Sequence, residues 1–83
     1  MERSEIIARL KEMLLAANMT DPKLVESCTE DSRLIEDLGF SSVAMLYTVI
    51  AIEESFHMRF VNVGMADFKT LRDVVTYIEK ALE

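Results

Sequence analysis

Residues 36–56 read EDLGFSSVAMLYTVIAIEESF, and this stretch decides the fold. Ser41 is a suitable N-cap, since a serine hydroxyl accepts a hydrogen bond from an amide one turn into a helix. The apolar spacing predicts a helix from residue 42 to about residue 55, with a core stripe of Met45, Val49, Ile52 and Phe56. The other sides stay apolar as far as Glu53 and Glu54. Such a helix is either fully buried or docks another molecule, and a chain of this length favours partial exposure and docking.

Two further long helices flank this one. Apolar residues at helical spacing predict the first over residues 3–17, with a face made of Ile6, Ile7, Leu10, Met13, Leu14 and Ala17. The last helix is expected to start after Thr70, because Thr70 and Asp73 resemble a capping box. Its apolar face is made of Leu71, Val74, Val75 and Ile78.

Residues 18–41 are the least regular part of the chain. Asp21 and Pro22 favour one short helical turn, with the aspartate as cap and the proline at the first helical position. The loop is expected to be held to the core by the apolar residues Leu34, Ile35 and Leu38. A further short helical piece is expected around residues 64–68. The pattern predicts an all-α fold of three longer helices plus one short helix, with a long first loop.

The composition indicates one globular domain. The 83 residues are too few for more than one typical domain, so residues 1–83 are expected to form a single domain, and 51% of them are apolar, which supplies a core. Cys28 is the single cysteine, so no internal disulfide can form. One cysteine and one histidine also fall short of the four ligands that a structural zinc site requires. We therefore expect no metal site.

The charge balance narrows the class of partner. Nine basic against fifteen acidic residues give a net charge of −6. Nucleic-acid phosphates repel such a surface, whereas basic protein partners suit it; acidity that only maintains solubility is the alternative. The longest apolar stretch, Val43 to Ile52, is about half of the ~20 residues that a membrane span requires. Since no signal peptide is evident either, we expect a cytoplasmic protein. We also expect it to be a monomer.

No catalytic set emerges from the sequence. A nucleophile–histidine pair would have to join His57 to Ser41, Ser42 or Cys28, and the residues around Ser42 do not form the Gly-x-Ser-x-Gly elbow of serine hydrolases. His57 is better explained as a residue at the carbonyl end of a helix dipole. We therefore expect no catalytic residues, with a small Ser/His hydrolase as the enzyme alternative.

A serine at the head of an apolar helix is the remaining chemical feature. Gly39 leads through Phe40 and Ser41 to Ser42. Free amides and the helix dipole stabilise an anion at such a position, which suits a serine that bears a phosphodiester. Two adjacent caps at an ordinary helix start are the alternative explanation.

Three blocks of the sequence resemble the acyl carrier protein family. EDLGFSSV at residues 36–43 is similar to the family's phosphopantetheine attachment motif, which has Asp-Leu-Gly, a variable residue, Asp and then the modified Ser. IEESF at residues 52–56 resembles the Leu-Glu-Glu-x-Phe that ends the family's second helix, and FKTLRDVVTYI at residues 68–78 resembles its final helix. The blocks have the family's order and spacing and cover nearly the whole chain.

The resemblance implies a four-helix bundle of the acyl-carrier type, and a carrier rather than an enzyme. A phosphopantetheinyl transferase would attach 4'-phosphopantetheine from coenzyme A to Ser42. Ser41 is the second candidate, because it replaces the aspartate that precedes the family's modified serine. The arm's thiol would hold acyl groups as thioesters for fatty-acid, polyketide or related lipid synthesis. A specialised aminoacyl, peptidyl or other carrier, and a helical interaction module without a prosthetic group, are the alternatives.

The resemblance also implies surfaces for partners and cargo. Residues 30–57 contain six acidic residues against one arginine, so acyl-transferring and synthase enzymes are expected to dock through basic surfaces and an apolar patch. The expected partner-facing residues are Val43, Ala44, Tyr47, Glu53 and Glu54. The expected lining of an acyl pocket, which core packing explains equally well, is Met45, Leu46, Ile50, Phe56, Val61, Ala66, Leu71 and Val75.

Overall fold

The computed structural model describes residues 2–17, 20–61 and 67–82, and within these ranges it contains four helices and no strand. They are α1 (Arg3–Ala17), α2 (Pro22–Ser27), α3 (Ser42–Phe56) and α4 (Leu71–Ala81). The predicted all-α fold is therefore confirmed, and α2 lies where the sequence predicted a short helical turn after Asp21. The short piece expected at residues 64–68 lies mostly outside the described residues. No helix in the described ranges has the length and apolarity that crossing a membrane requires.

The core is built from one face of each long helix and from the loops between them. α1 packs against α2, α3 and α4. The helices contribute Ile6, Leu10, Leu14, Val25, Ala44, Met45, Ile52, Phe56, Leu71, Val74, Val75 and Ile78, and the loops contribute Cys28, Leu34, Leu38, Phe40, Met58 and Phe68. Burying a side chain as large as leucine or phenylalanine stabilises the fold by about 1.5–3 kcal/mol. Core burial on this scale lets the bundle form without a disulfide.

Two of the three predicted loop anchors reach the core. Leu34 and Leu38 are buried, whereas Ile35 is 65% exposed. The prediction for Ile35 was wrong because residues 34–38 form a tight turn. Such a turn places Leu34 and Leu38 on the same side, four residues apart, and directs the residue after Leu34 outwards.

The long loop between α2 and α3 is fastened to the start of α4 by backbone hydrogen bonds. The amide of Leu34 donates to the carbonyl of Lys69 at 2.9 Å. In return, the amides of Leu71 and Arg72 donate to the carbonyls of Ser32 and Glu30 at 3.0 and 2.9 Å. The first amides of a helix lack partners within it, so the loop completes the N-terminus of α4.

Asp73 completes the same helix start from within. Its carboxylate accepts hydrogen bonds from the amides of Lys69 and Thr70 at 2.9 and 3.1 Å, which confirms the predicted capping box. These bonds to the charged form, chiefly the one from Thr70, hold the pKa of Asp73 below its ordinary value of 3.8. The carboxylate therefore stabilises the fold while it is ionised.

We expect Asp73→Ala to lower the free energy of unfolding by about 1 kcal/mol at pH 7. Because the pKa is lower in the folded state than in the unfolded state, the stabilisation is present above pH 3.8 and is lost as the pH falls below that value. Urea denaturation at pH 7 and pH 3 measures the difference. Asp73→Asn keeps an oxygen acceptor and should lose less, and a difference between wild type and Asp73→Ala that is the same at both pH values would contradict the assignment.

Candidate functional site

The turn before α3 is set by Gly39 and by the two buried residues beside it. Gly39 has a φ of 73°, in the left-handed region that favours glycine, while Leu38 and Phe40 are both buried. The amide of Phe40 donates to the carbonyl of Leu34 at 3.0 Å, and the hydroxyl of Thr20 donates to the carbonyl of Leu38. The chain therefore reaches α3 from a fixed point on the core.

The two serines at the start of α3 have different roles. Ser41 is the N-cap, and its hydroxyl accepts from the amide of Ala44 at 3.2 Å, as the sequence predicted. Ser42 is the first residue of the helix and is exposed. Within the described part of the chain, no hydrogen bond involves the Ser42 hydroxyl. Both serines are exposed, but one hydroxyl caps the helix and the other forms no bond to the described residues at the helix N-terminus.

Ion pairs neutralise much of the acidity predicted around this serine. Arg33 pairs with Glu36 and with Asp37. The Arg33 amide, which donates to Asp37 at 2.7 Å, and the Arg33 guanidinium together hold the pKa of Asp37 below its ordinary value. The other two acids of the loop find cations elsewhere in the chain, in the pairs Arg3–Glu30 and Arg72–Asp31. The surface around Ser42 is therefore less negative than the sequence count indicates.

Comparison with known proteins agrees with this arrangement along almost the full chain. The acyl carrier protein of Thermotoga maritima is 31% identical over 80 residues, covering 96% of this chain and 95% of the relative. The acyl carrier protein of Wolinella succinogenes is 33% identical over 70 residues, covering 84% and 88%. This chain belongs to the acyl carrier protein family. A more divergent member, the meromycolate extension acyl carrier protein of Mycobacterium leprae, is 27% identical over 81 residues, or 98% of this chain and 68% of the relative. No protein-family model matches the chain.

In this acyl carrier family member, one of the three apolar residues expected to face partners is buried. Val43 and Tyr47 are 68% and 49% exposed, but Ala44 is only 1% exposed. At about 100° per residue, Ala44 is turned away from Val43 towards the same flank as Thr48, four residues later. Thr48 itself lines the interior. The expectation that Ala44 faces a partner is therefore wrong.

The two acidic residues expected at the partner surface also differ. The carboxylate of Glu53 accepts a hydrogen bond from the amide of Phe60 at 3.0 Å, so it helps to hold the segment after α3. Glu54 is exposed, and it forms no ion pair with any other described residue. Of these two carboxylates, only that of Glu54 forms neither a hydrogen bond nor an ion pair with the described residues.

The interior holds a small cavity that only part of the predicted pocket set lines. It measures about 20 Å³, which is close to the space that one water molecule needs. Of the residues predicted for an acyl pocket, Met45 and Leu71 line this cavity. Phe56 and Val75 are buried but do not line it, and Ala66 lies outside the described residues. The other lining residues, which the sequence reasoning did not assign to a pocket, are Leu10, Leu14, Leu34, Phe40, Thr48, Val49, Ile52, Phe60, Phe68 and Val74.

Three residues of the predicted pocket face solvent. Leu46, Ile50 and Val61 are 55%, 56% and 61% exposed. Leu46 and Ile50 lie on the outer side of α3, because the helix has a second apolar stripe besides the one that faces the core. The expectation that these three line an acyl pocket is wrong. Leu10 and Leu14 could have been identified instead, because both lie on the predicted apolar face of α1.

The side chains that could form a nucleophile–histidine pair are either far from the histidine or buried. Ser42 and His57 lie at opposite ends of α3, which separates them by about 22 Å along the helix axis. His57 ends the helix in a left-handed conformation (φ 53°, ψ 49°), and its amide donates to the carbonyl of Glu53. Cys28 is buried, and burial raises the pKa of its thiol. A Ser/His pair across α3 is therefore ruled out by distance, and no group of three or more metal-ligating side chains occurs within the described ranges.

The positive φ of Gly39 leads to a stability prediction. Gly39→Ala should lower the free energy of unfolding by about 1–2 kcal/mol, because an L residue pays that cost in the left-handed region. Crowding should add little, since a Cβ there would meet its nearest neighbour, the Thr20 hydroxyl, at 3.7 Å. Gly39→Asn is the matched control, because asparagine tolerates this conformation better. Urea denaturation that finds the alanine variant as stable as wild type would contradict the role of Gly39.

The two serines should also differ in stability measurements. Ser41→Ala removes the cap and should cost about 1 kcal/mol, whereas Ser42→Ala should stay within about 0.5 kcal/mol of wild type, as exposed substitutions usually do. Equilibrium urea unfolding of the two variants side by side gives the comparison. Equal losses in both variants would show that Ser42 also serves the fold.

Proposed function

We propose that this chain acts as a single carrier domain over residues 1–83 and carries 4'-phosphopantetheine on the hydroxyl of Ser42. When bound, the group supplies a terminal thiol that holds acyl chains as thioesters for fatty-acid, polyketide or related lipid synthesis. One observation carries the assignment to Ser42 rather than Ser41. Both residues are exposed, but the Ser41 hydroxyl is engaged as the helix cap, while the Ser42 hydroxyl forms no hydrogen bond within the described residues.

The residues around Ser42 fit a phosphodiester. The group would lie at the N-terminus of a helix of 15 residues, where the helix dipole and first-turn amides favour an anion. Glu36 and Asp37, the acids nearest in sequence, are both paired with Arg33, which lowers their repulsion of a phosphate. The Gly39 turn leaves the serine pointing away from the core, so an arm attached there is open to other proteins.

The protein's own part in the chemistry is to present the arm, and the reactions belong to partner enzymes. The proposed partners are a phosphopantetheinyl transferase, which attaches the group, and acyl-transferring and synthase enzymes with basic docking surfaces. A net charge of −6 favours association with basic proteins over self-association. We propose that the carrier is a monomer and not an enzyme.

A modification assay tests the attachment. The purified apo-protein is incubated with coenzyme A and a broad-specificity phosphopantetheinyl transferase, and its mass is measured. We expect a gain of one phosphopantetheinyl group, with release of adenosine 3',5'-bisphosphate. Ser42→Ala should abolish the gain, and Ser41→Ala should retain it.

The controls separate the possible failures. A well-characterised carrier treated in parallel shows that the transferase is active. No mass gain in wild type beside a modified control would overturn the carrier function. A gain that survives Ser42→Ala but vanishes in Ser41→Ala would transfer the site to the neighbouring serine.

A further inference from the structure

Three aromatic rings cluster beside the interior cavity. The Phe60 ring stacks on the Tyr77 ring, with 4.8 Å between the ring centroids and 18° between the planes. The Phe68 ring meets both of them edge-on, at 5.4 Å from Phe60 and 5.8 Å from Tyr77. Such pairs attract each other beyond the gain from burial. We call these three residues the aromatic latch, and two of them, Phe60 and Phe68, line the cavity.

Hydrogen bonds fix the aromatic latch to two helices. The Tyr77 hydroxyl, on α4, accepts from the amide of Val61 at 3.0 Å and donates to the carbonyl of the same residue at 3.2 Å. The Glu53 carboxylate, on α3, accepts from the amide of Phe60 at 3.0 Å. A rotation of the Phe60 ring therefore breaks the stack on Tyr77, and a movement of its backbone breaks the hydrogen bonds as well.

Phe60 is the lining residue whose displacement would open the cavity most easily. The cavity measures about 20 Å³, which is space for about one water molecule. A chain of several methylene groups can therefore enter only if lining residues move apart. Most of the lining consists of buried core residues, whereas Phe60 is half-buried and lies outside the helices, in the segment after α3. The aromatic latch is what holds this residue against the cavity.

We propose that the aromatic latch keeps the cargo out of the core, so that this carrier holds short or polar acyl groups exposed at the end of the arm. The proposal rests on the carrier function proposed above, and it differs from the sheltered acyl chain that the family resemblance implies. A long aliphatic chain outside the core leaves its methylene groups in water, which is unfavourable. A short or polar group loses little by staying there, so the aromatic latch selects against long-chain cargo.

Loaded carriers test the proposal. The transferase, supplied with acetyl- or octanoyl-coenzyme A, transfers the acylated arm to Ser42 and releases adenosine 3',5'-bisphosphate. Hydroxylamine then cleaves each thioester to a hydroxamate and the free thiol of the arm, and mass spectrometry follows the rate. The measured quantity is the cleavage rate of the carrier thioester divided by that of the same acyl group on free pantetheine. In wild type we expect both ratios to lie within about twofold of one, because a cargo outside the core is fully accessible.

Two variants weaken the aromatic latch in different ways. Phe60→Ala removes the ring and should lower the octanoyl ratio about fivefold, because the enlarged cavity shelters the chain. The acetyl ratio should stay unchanged, since that group is too short to reach the core. Tyr77→Phe keeps the stack and removes only the two hydrogen bonds to Val61, so it should lower the octanoyl ratio by a smaller factor.

Matched controls separate the aromatic latch from a general loosening of the protein. Phe56→Ala removes a buried ring of α3 that does not line the cavity, and Tyr47→Phe removes the hydroxyl of an exposed tyrosine. Neither should change the octanoyl ratio. Circular dichroism verifies that each variant is folded, and the two tyrosine variants, which keep every ring, decide the test if either alanine variant fails to fold.

Three outcomes count against the proposals, and they are distinguishable. A wild-type octanoyl ratio as low as that expected for Phe60→Ala would show a sheltered cargo and overturn the proposal. An octanoyl ratio that stays at the wild-type value in every folded variant of the aromatic latch would also overturn it, because the latch would then not be what excludes the chain. Failure of wild type to accept either acylated arm, beside a control carrier that is modified, would instead overturn the carrier function itself.

Discussion

The hydrogen bonds between the long loop and the first turn of α4 are the constraint on which the rest of the structure depends. Carbonyl groups of the loop accept hydrogen bonds from the amides of Leu71 and Arg72. A carbonyl group just before α4 accepts one from the amide of Leu34. Neither element can satisfy these groups alone, and a buried amide without a partner costs about 1–3 kcal/mol. With the loop fixed at this end, Leu34, Leu38 and Phe40 can enter the core and determine where α3 begins.

This arrangement separates the fold from the proposed chemistry at neighbouring residues. Phe40 is buried, Ser41 caps the helix, and Ser42 faces solvent. Of these three consecutive residues, the first packs in the core, the second bonds the helix start, and the third has a hydroxyl that the fold does not use. Because Gly39 supplies the left-handed turn and Ser41 supplies the cap, Ser42 does not have to stabilise the protein, and its hydroxyl is free for a modification.

The sequence predicted the elements well because their signals are local. The bounds of α1 and α3, the cap at Ser41 and the capping box at Asp73 all depend on residues within one or two turns of each other. The faces of α3 were harder to predict. Its spacing did predict the core stripe, of which Met45, Ile52 and Phe56 are buried. The family resemblance assigned Leu46 and Ile50 to a pocket and Ala44 to the surface, and a shared motif does not determine which way each side chain of this helix points. The pairing of Arg3 with Glu30 and the bond from Phe60 to Glu53 also escaped prediction, because they depend on tertiary contacts. The role of Ser42 stays a prediction, supported by a hydroxyl that forms no hydrogen bond within the described residues, unlike that of Ser41.

The buried state of Cys28 has a consequence for the stability of a bound cargo. A thioester transfers its acyl group readily to another thiolate, and a carrier with an accessible cysteine could acylate itself. Here the single cysteine of the chain is 7% exposed and its pKa is raised by burial, so its reactive thiolate form is scarce. The core therefore protects the proposed cargo from the protein's own nucleophile. It also leaves the thiol of the arm as the one that mild alkylating reagents would label first.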